Sequence, residues 1–79
     1  MQKSIHTVQQ HRFLKLLKQV RLEAGLTQVE LAKKLDTPHS RISDYERGER
    51  RLDMIQLRQY CEAVKITLRE FVDRFEEMI

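Results

Sequence analysis

The feature that most narrows the fold of this chain is a series of helix-start signals, one about every ten to twenty residues. Thr7 is followed three positions on by Gln10, Thr27 by Glu30, Asp53 by Gln56 and Thr67 by Glu70. Each pair fits a capping box, in which the first side chain accepts a bond from a free backbone N–H and the third-position side chain reaches back. Thr37-Pro38 is a start of another kind: Thr37 caps, and Pro38 at the first helical position loses no hydrogen bond. The stops match the starts. Gly25 follows Ala24 and Gly48 follows Arg47, both suited to the left-handed residue that ends a helix. This punctuation predicts helices at about 8–24, 28–35, 38–46, 54–64 and 68–78. The first seven residues are expected to form a flexible tail.

Apolar periodicity supports the same five segments. Leu17, Val20 and Ala24 share one stripe of the first helix, with Phe13 beside them. Leu31, Ala32 and Leu35 mark the second, and Ile42 and Tyr45 the third. Leu57, Tyr60, Cys61 and Val64 mark the fourth, and Leu68, Phe71, Val72 and Phe75 the fifth. The i, i+3, i+4, i+7 spacing is that of helices packed on one side. Leu14, Leu16, Met78 and Ile79 exceed one core, as either a wider core face or an association surface.

Composition closes off the alternatives. A chain of 79 residues makes one small domain, 1–79, too short for a large enzyme with its own substrate domain. Two glycines and one proline leave little for the turns of an all-β fold. The only cysteine, Cys61, forms no internal disulfide and lies on an apolar stripe, where a buried, inert thiol is expected. No apolar run is long enough to cross a bilayer, and residues 1–6 lack the apolar core of a signal peptide. The expectation is an all-α cytoplasmic protein with no membrane association. His6, His11 and His39 form no metal-ligand spacing with Cys61, there is no Gly-rich phosphate loop, and Glu76-Glu77 reads as a solvated end. No catalytic residue, metal or cofactor is therefore expected. The net charge is +3. The excess sits at the start: residues 1–35 carry seven Lys/Arg against two acids, 36–65 six against six, and 66–79 two against four. Such a balance permits nucleic-acid binding without establishing it.

The link between the second and third helices, Asp36-Thr37, forces two short helices to cross steeply, the geometry of a helix-turn-helix. On a wheel of the third helix, Pro38, Ile42 and Tyr45 define the buried side. Ser40, Ser43, Asp44 and Arg47 lie opposite, flanked by His39 and Arg41. That face is either ordinary solvated surface or a set suited to base edges: serine to donors or acceptors, arginine to guanine, aspartate to the cytosine amino group. Glu46 falls near the buried edge, where a carboxylate needs a partner.

Leu26-Thr27-Gln28-Val29-Glu30-Leu31-Ala32, followed by Ser40-Arg41-Ile42-Ser43-Asp44-Tyr45-Glu46-Arg47-Gly48, resembles the Cro/repressor-type helix-turn-helix proteins, also called the XRE family, over about residues 17–75. The resemblance implies a compact, lambda-repressor-like five-helix bundle that binds duplex DNA in a sequence-specific way. It implies that Gln28, with Thr27 beside it, holds a phosphate at the start of the second helix. His39 and Ser40 match base-reading positions, and Arg41, Ser43 and Asp44 positions that contact bases or the adjoining backbone. Arg47 and the loop Glu49-Arg50-Arg51 match the phosphate-contacting turn. Arg21 and Glu46 match a structural ion pair between the first and third helices. Asp36 stands where the family usually has glycine, a substitution aspartate tolerates. Lys65 stands where glycine often ends the fourth helix, so that end is expected to be built differently. Asp44 puts a negative charge on the DNA face, to meet cytosine or adenine or to pair with Arg41 or Arg47.

The leading expectation is a repressor; the family further implies a homodimer, which on a palindromic operator would read both half-sites, and the surplus apolar residues at either end of the chain are the expected place of the dimer contact. The competing expectation is an antitoxin or protein-interaction module on the same fold, binding a partner protein through the C-terminal helix.

Overall fold

The computed structural model describes the backbone of residues 2–78 and the side chains of residues 8–78. Five α-helices follow in order: α1 (Gln2–Glu23), α2 (Gln28–Lys34), α3 (His39–Arg47), α4 (Met54–Ala63) and α5 (Leu68–Met78). The class is all-α, as expected. Capping boxes close on both sides at two starts. Thr27 Oγ1 accepts from Glu30 N–H at 3.1 Å while Glu30 accepts from Thr27 N–H at 2.9 Å. Asp53 and Gln56 make the same exchange at 2.7 and 2.9 Å. At α5, Thr67 Oγ1 accepts from Glu70 N–H at 3.0 Å.

Two starts differ from expectation. α1 runs through Thr7, so that residue lies inside the helix and its capping pattern with Gln10 marks no boundary. Pro38 is the N-cap of α3 rather than its first residue, with ψ 146°, and no side chain caps that end. Pro38 is also exposed, so the buried side of α3 is Ile42 and Tyr45 alone.

The four helix ends that face a turn repeat one construction. After α1, Leu26 N–H donates to Arg21 O (3.2 Å) and Gly25 N–H to Leu22 O (2.9 Å). The same two bonds recur from Thr37 and Asp36 after α2, from Glu49 and Gly48 after α3, and from Ile66 and Lys65 after α4. This is the Schellman arrangement, whose turning residue is left-handed. The turning residues have φ of 75° at Gly25, 54° at Asp36, 78° at Gly48 and 66° at Lys65. The end of α4 is therefore built like the others, with lysine held where glycine is favoured. Gly48 has a second reason for its identity: a Cβ there would lie 2.9 Å from Leu14 Cδ1.

The core is continuous through Leu16, Leu17, Val20, Leu31, Ala32, Ile42, Tyr45, Tyr60, Cys61, Val64 and Phe71. Leu16 is fully buried, and Leu14 and Met78 pack against the core, so these three belong to a wider core face; Ile79 lies outside the described residues. Ala24 and Val72, expected on buried stripes, are exposed. Phe13 joins α1 to α5 by edge-to-face contacts with Phe71 and Phe75, at centroid distances of 5.9 and 6.1 Å. Arg74 fixes the same seam at the surface, donating to both Glu23 oxygens at 2.9 Å. No helix among the described residues is long and apolar enough to cross a membrane.

Candidate nucleic-acid interface

The site is built outward from one buried carboxylate. Glu46, on the inner edge of α3, has a side chain only 6% exposed. Arg21 of α1 meets it with two parallel bonds, Nε to Oε2 at 2.6 Å and an Nη to Oε1 at 3.1 Å. The other Nη of Arg21 donates to the Leu26 carbonyl at 2.8 Å. Gln28, the first residue of α2, donates to Glu46 Oε1 at 3.1 Å. Tyr60 of α4 donates from its hydroxyl to the Leu17 carbonyl at 2.8 Å and lies 3.3 Å from Glu46 Oε2. Among the described residues no buried side-chain nitrogen or oxygen lacks a partner.

This network fixes α3 relative to α1, α2 and α4. It also explains the ionisation of its members. The hydrogen bond to Glu46 raises the Arg21 pKa against the opposing effect of burial. Burial, and then the Glu46 charge, push the Tyr60 hydroxyl far above its ordinary range. Tyr60 was legible in sequence only as a core residue. Its buried hydroxyl required a partner, and Glu46 near the buried edge was the signal that could have linked the two.

The opposite side of α3 faces outward. His39, Ser40 and Arg47 are exposed, and Arg41, Ser43 and Asp44 half-exposed. They share one helix surface, as the wheel placed them. Arg50 and Arg51, both exposed, follow in the turn anchored by the Asp44 carbonyl, which accepts from Glu49 N–H at 2.8 Å and Arg50 N–H at 3.3 Å. Arg51 also borders an open groove with Gln9, Gln10 and His11 of α1. In the α2 cap Thr27 Oγ1 accepts from Glu30 N–H, a role that leaves the hydroxyl hydrogen as a donor, and Gln28 is oriented by Glu46. Of the two partners left open for Asp44, the structure selects Arg47, at 2.8 Å; the same Arg47 nitrogen lies 3.1 Å from Glu49.

Cys61 is fully buried, and burial pushes its thiol up to about 11. Among the described residues, no group of three His, Cys, Asp or Glu side chains could hold a metal.

The arrangement of α2, turn and α3 has close counterparts. Residues 17–71 match the helix-turn-helix family model. The XRE-family like protein from Pseudomonas syringae pv. tomato str. DC3000 superposes with a TM-score of 0.87 and 36% identity, over 98% of this chain and 94% of that one. A point mutant of the restriction-modification controller protein C.Esp1396I superposes with a TM-score of 0.79 and 25% identity, over 90% of this chain and 95% of that one. No curated protein matches. The family is one of DNA-binding domains, not of enzymes. With the family model spanning most of its length and the Pseudomonas relative covering nearly all of it, this chain belongs to the Cro/C1-type, or XRE, helix-turn-helix family.

Proposed function

We propose that this DNA-binding domain is a sequence-specific transcriptional regulator, acting as a repressor. α3 enters the major groove, where Ser40, Arg41, Ser43 and Asp44, with His39 at the helix start, meet base edges. Thr27 and Gln28 at the start of α2, and Arg47, Arg50 and Arg51 at the end of α3, meet the phosphates. The carrying observation is the division of α3: a polar, hydrogen-bonding outer face on a helix whose inner face is locked by the Glu46 network. A phosphate at the α2 start also benefits from free backbone N–H groups there.

One unit of this size reads a half-site, so the reading includes a homodimer on a palindromic operator with half-sites about one helical turn apart. Leu16 is taken up by the core, and Leu14 and Met78 pack against it. Among the described residues, the most exposed large apolar side chains are Met54 and Ile55 at the start of α4, at 72% and 65%, and these are the better candidates for the two-fold contact. The protein works in the cytoplasm, on the nucleoid when bound.

Selection of bound duplexes from a random DNA pool, followed by titration against salt, tests the reading. A palindromic consensus is expected, with affinity falling steeply as salt rises. Arg50→Ala should weaken all duplexes alike and reduce the salt slope by about 0.9 per contact. Arg41→Ala should change the preferred sequence. No enrichment at low salt would transfer the function to a protein partner at α5.

A further inference from the structure

The outer face of α3 carries a contact that the DNA-reading role does not explain. Arg47, the cation placed to meet phosphate, is already engaged by Asp44 at 2.8 Å and Glu49 at 3.1 Å. Asp44 and Arg47 are three residues apart on one helix, so both side chains present to the same partner. Glu49 is held nearby because its N–H donates to the Asp44 carbonyl. The cluster is a feature of the turn itself, and it is open to solvent: the Arg47, Asp44 and Glu49 side chains are 57%, 33% and 63% exposed.

We infer that Asp44 gates Arg47, making this phosphate contact conditional on the base that Asp44 meets. The inference rests on the DNA-reading role proposed for α3. When Arg47 turns to a phosphate, it leaves Asp44 as an unpaired carboxylate beside a polyanion. On duplex of the wrong sequence nothing replaces the lost partner, so Arg47 stays with Asp44 and Glu49. At a matched site the amino group of cytosine or adenine donates to Asp44, and Arg47 is released to the backbone. Exposed ion pairs of this kind are weak, so a single base-edge hydrogen bond is enough to tip the exchange. The result is discrimination against non-specific DNA at a position that makes only one base contact.

Salt dependence reads this directly, because each phosphate neutralised steepens the slope of log affinity against log salt by about 0.9. The probes are a mixed-sequence duplex and the best duplex recovered by selection. Wild-type protein is expected to show a shallower slope on the mixed-sequence duplex, by about 0.9 per protomer. Asp44→Ala combined with Glu49→Gln should restore the missing contact there, steepening the slope by the same amount. Between 50 and 200 mM salt that equals about a 3.5-fold change in relative affinity. Asp44→Asn, which keeps the side-chain shape, should act in the same direction. In an Arg47→Gln background, none of these changes should alter the slope.

An equal slope for wild type on both duplexes would overturn the gate. So would a steepening that survives in the Arg47→Gln background, which would make Asp44 a general repulsive charge. Binding of neither duplex at low salt would refute the DNA-reading role itself, a result distinct from both.

Discussion

Lysine in a left-handed turn offers a direct test of how the α4 end is built. Lys65 sits at φ 66°, while the equivalent positions after α1 and α3 are glycine at 75° and 78°. An L-residue with a Cβ pays about 1–2 kcal/mol for this conformation. Replacing Lys65 by glycine removes that strain but enlarges the conformational freedom of the unfolded chain, which offsets about 0.4–1 kcal/mol. The net expectation for Lys65→Gly is a gain of about 0.5–1 kcal/mol, or a rise in Tm of about 2–8 °C for a domain of this size. Lys65 is exposed and its backbone bond from N–H to the Glu62 carbonyl does not depend on the side chain. Lys65→Ala is therefore the matched control: it removes the side chain, keeps the Cβ, and should gain nothing. Urea denaturation of the three proteins, with thermal melts alongside, measures the difference. If Lys65→Gly proves no more stable than Lys65→Ala, at unchanged m-value, the strain argument is wrong. Asp36→Gly should gain less, since aspartate enters the left-handed region more readily than most residues.

Further expectations concern the core and the charged surface. Arg21→Ala leaves Glu46 buried without its cation and should cost about 3–5 kcal/mol, most of the stability of a domain this small, as seen by loss of the helical circular-dichroism signal on mild heating. Glu23 is held below the usual carboxylate range by Arg74, and Glu30 by the Thr27 backbone N–H. Both are lowered on folding, so their contribution is present above the unfolded pKa of about 4.3 and is lost as pH falls through the folded values. Thermal melts from pH 6 down to pH 3 should show this loss, and Glu23→Gln should reduce it. Cys61, fully buried with its thiol pushed up to about 11, should resist alkylation at pH 8 until the chain unfolds, so labelling that proceeds at the rate of a free thiol would contradict the burial.

What could be read from the sequence was mostly what is local along the chain. Thr27 with Glu30 and Asp53 with Gln56 meet across three residues, so their spacing determines the contact. Thr7 with Gln10 carries the same pattern, yet α1 continues through it, because a cap is needed only where a helix begins. Lys65 could not be placed for the opposite reason: its conformation follows from two backbone bonds that link Lys65 and Ile66 back to α4, and no side-chain rule anticipates them. The outer face of α3 was legible from its period, and the Arg21–Glu46 pair from the family resemblance. The bonds from Gln28 and Tyr60 to Glu46 were not, since they join residues 18 and 14 positions apart through the packing of separate helices. Leu14, Leu16 and Met78 were ambiguous for a related reason. A helix wheel gives the direction of a side chain but not how far the neighbouring helix extends over it.

The convergence of Arg21, Gln28 and Tyr60 on one Glu46 carboxylate has a thermodynamic consequence for recognition. α3 is ordered before any duplex arrives, so on the reading proposed above no helix has to form upon docking. Association then costs rigid-body freedom and the exposed side-chain rotamers, but not backbone ordering. The heat-capacity change should track the surface covered in the groove and carry no folding component. Calorimetry over a range of temperatures would therefore distinguish this domain from basic segments that become helical only on contact with nucleic acid.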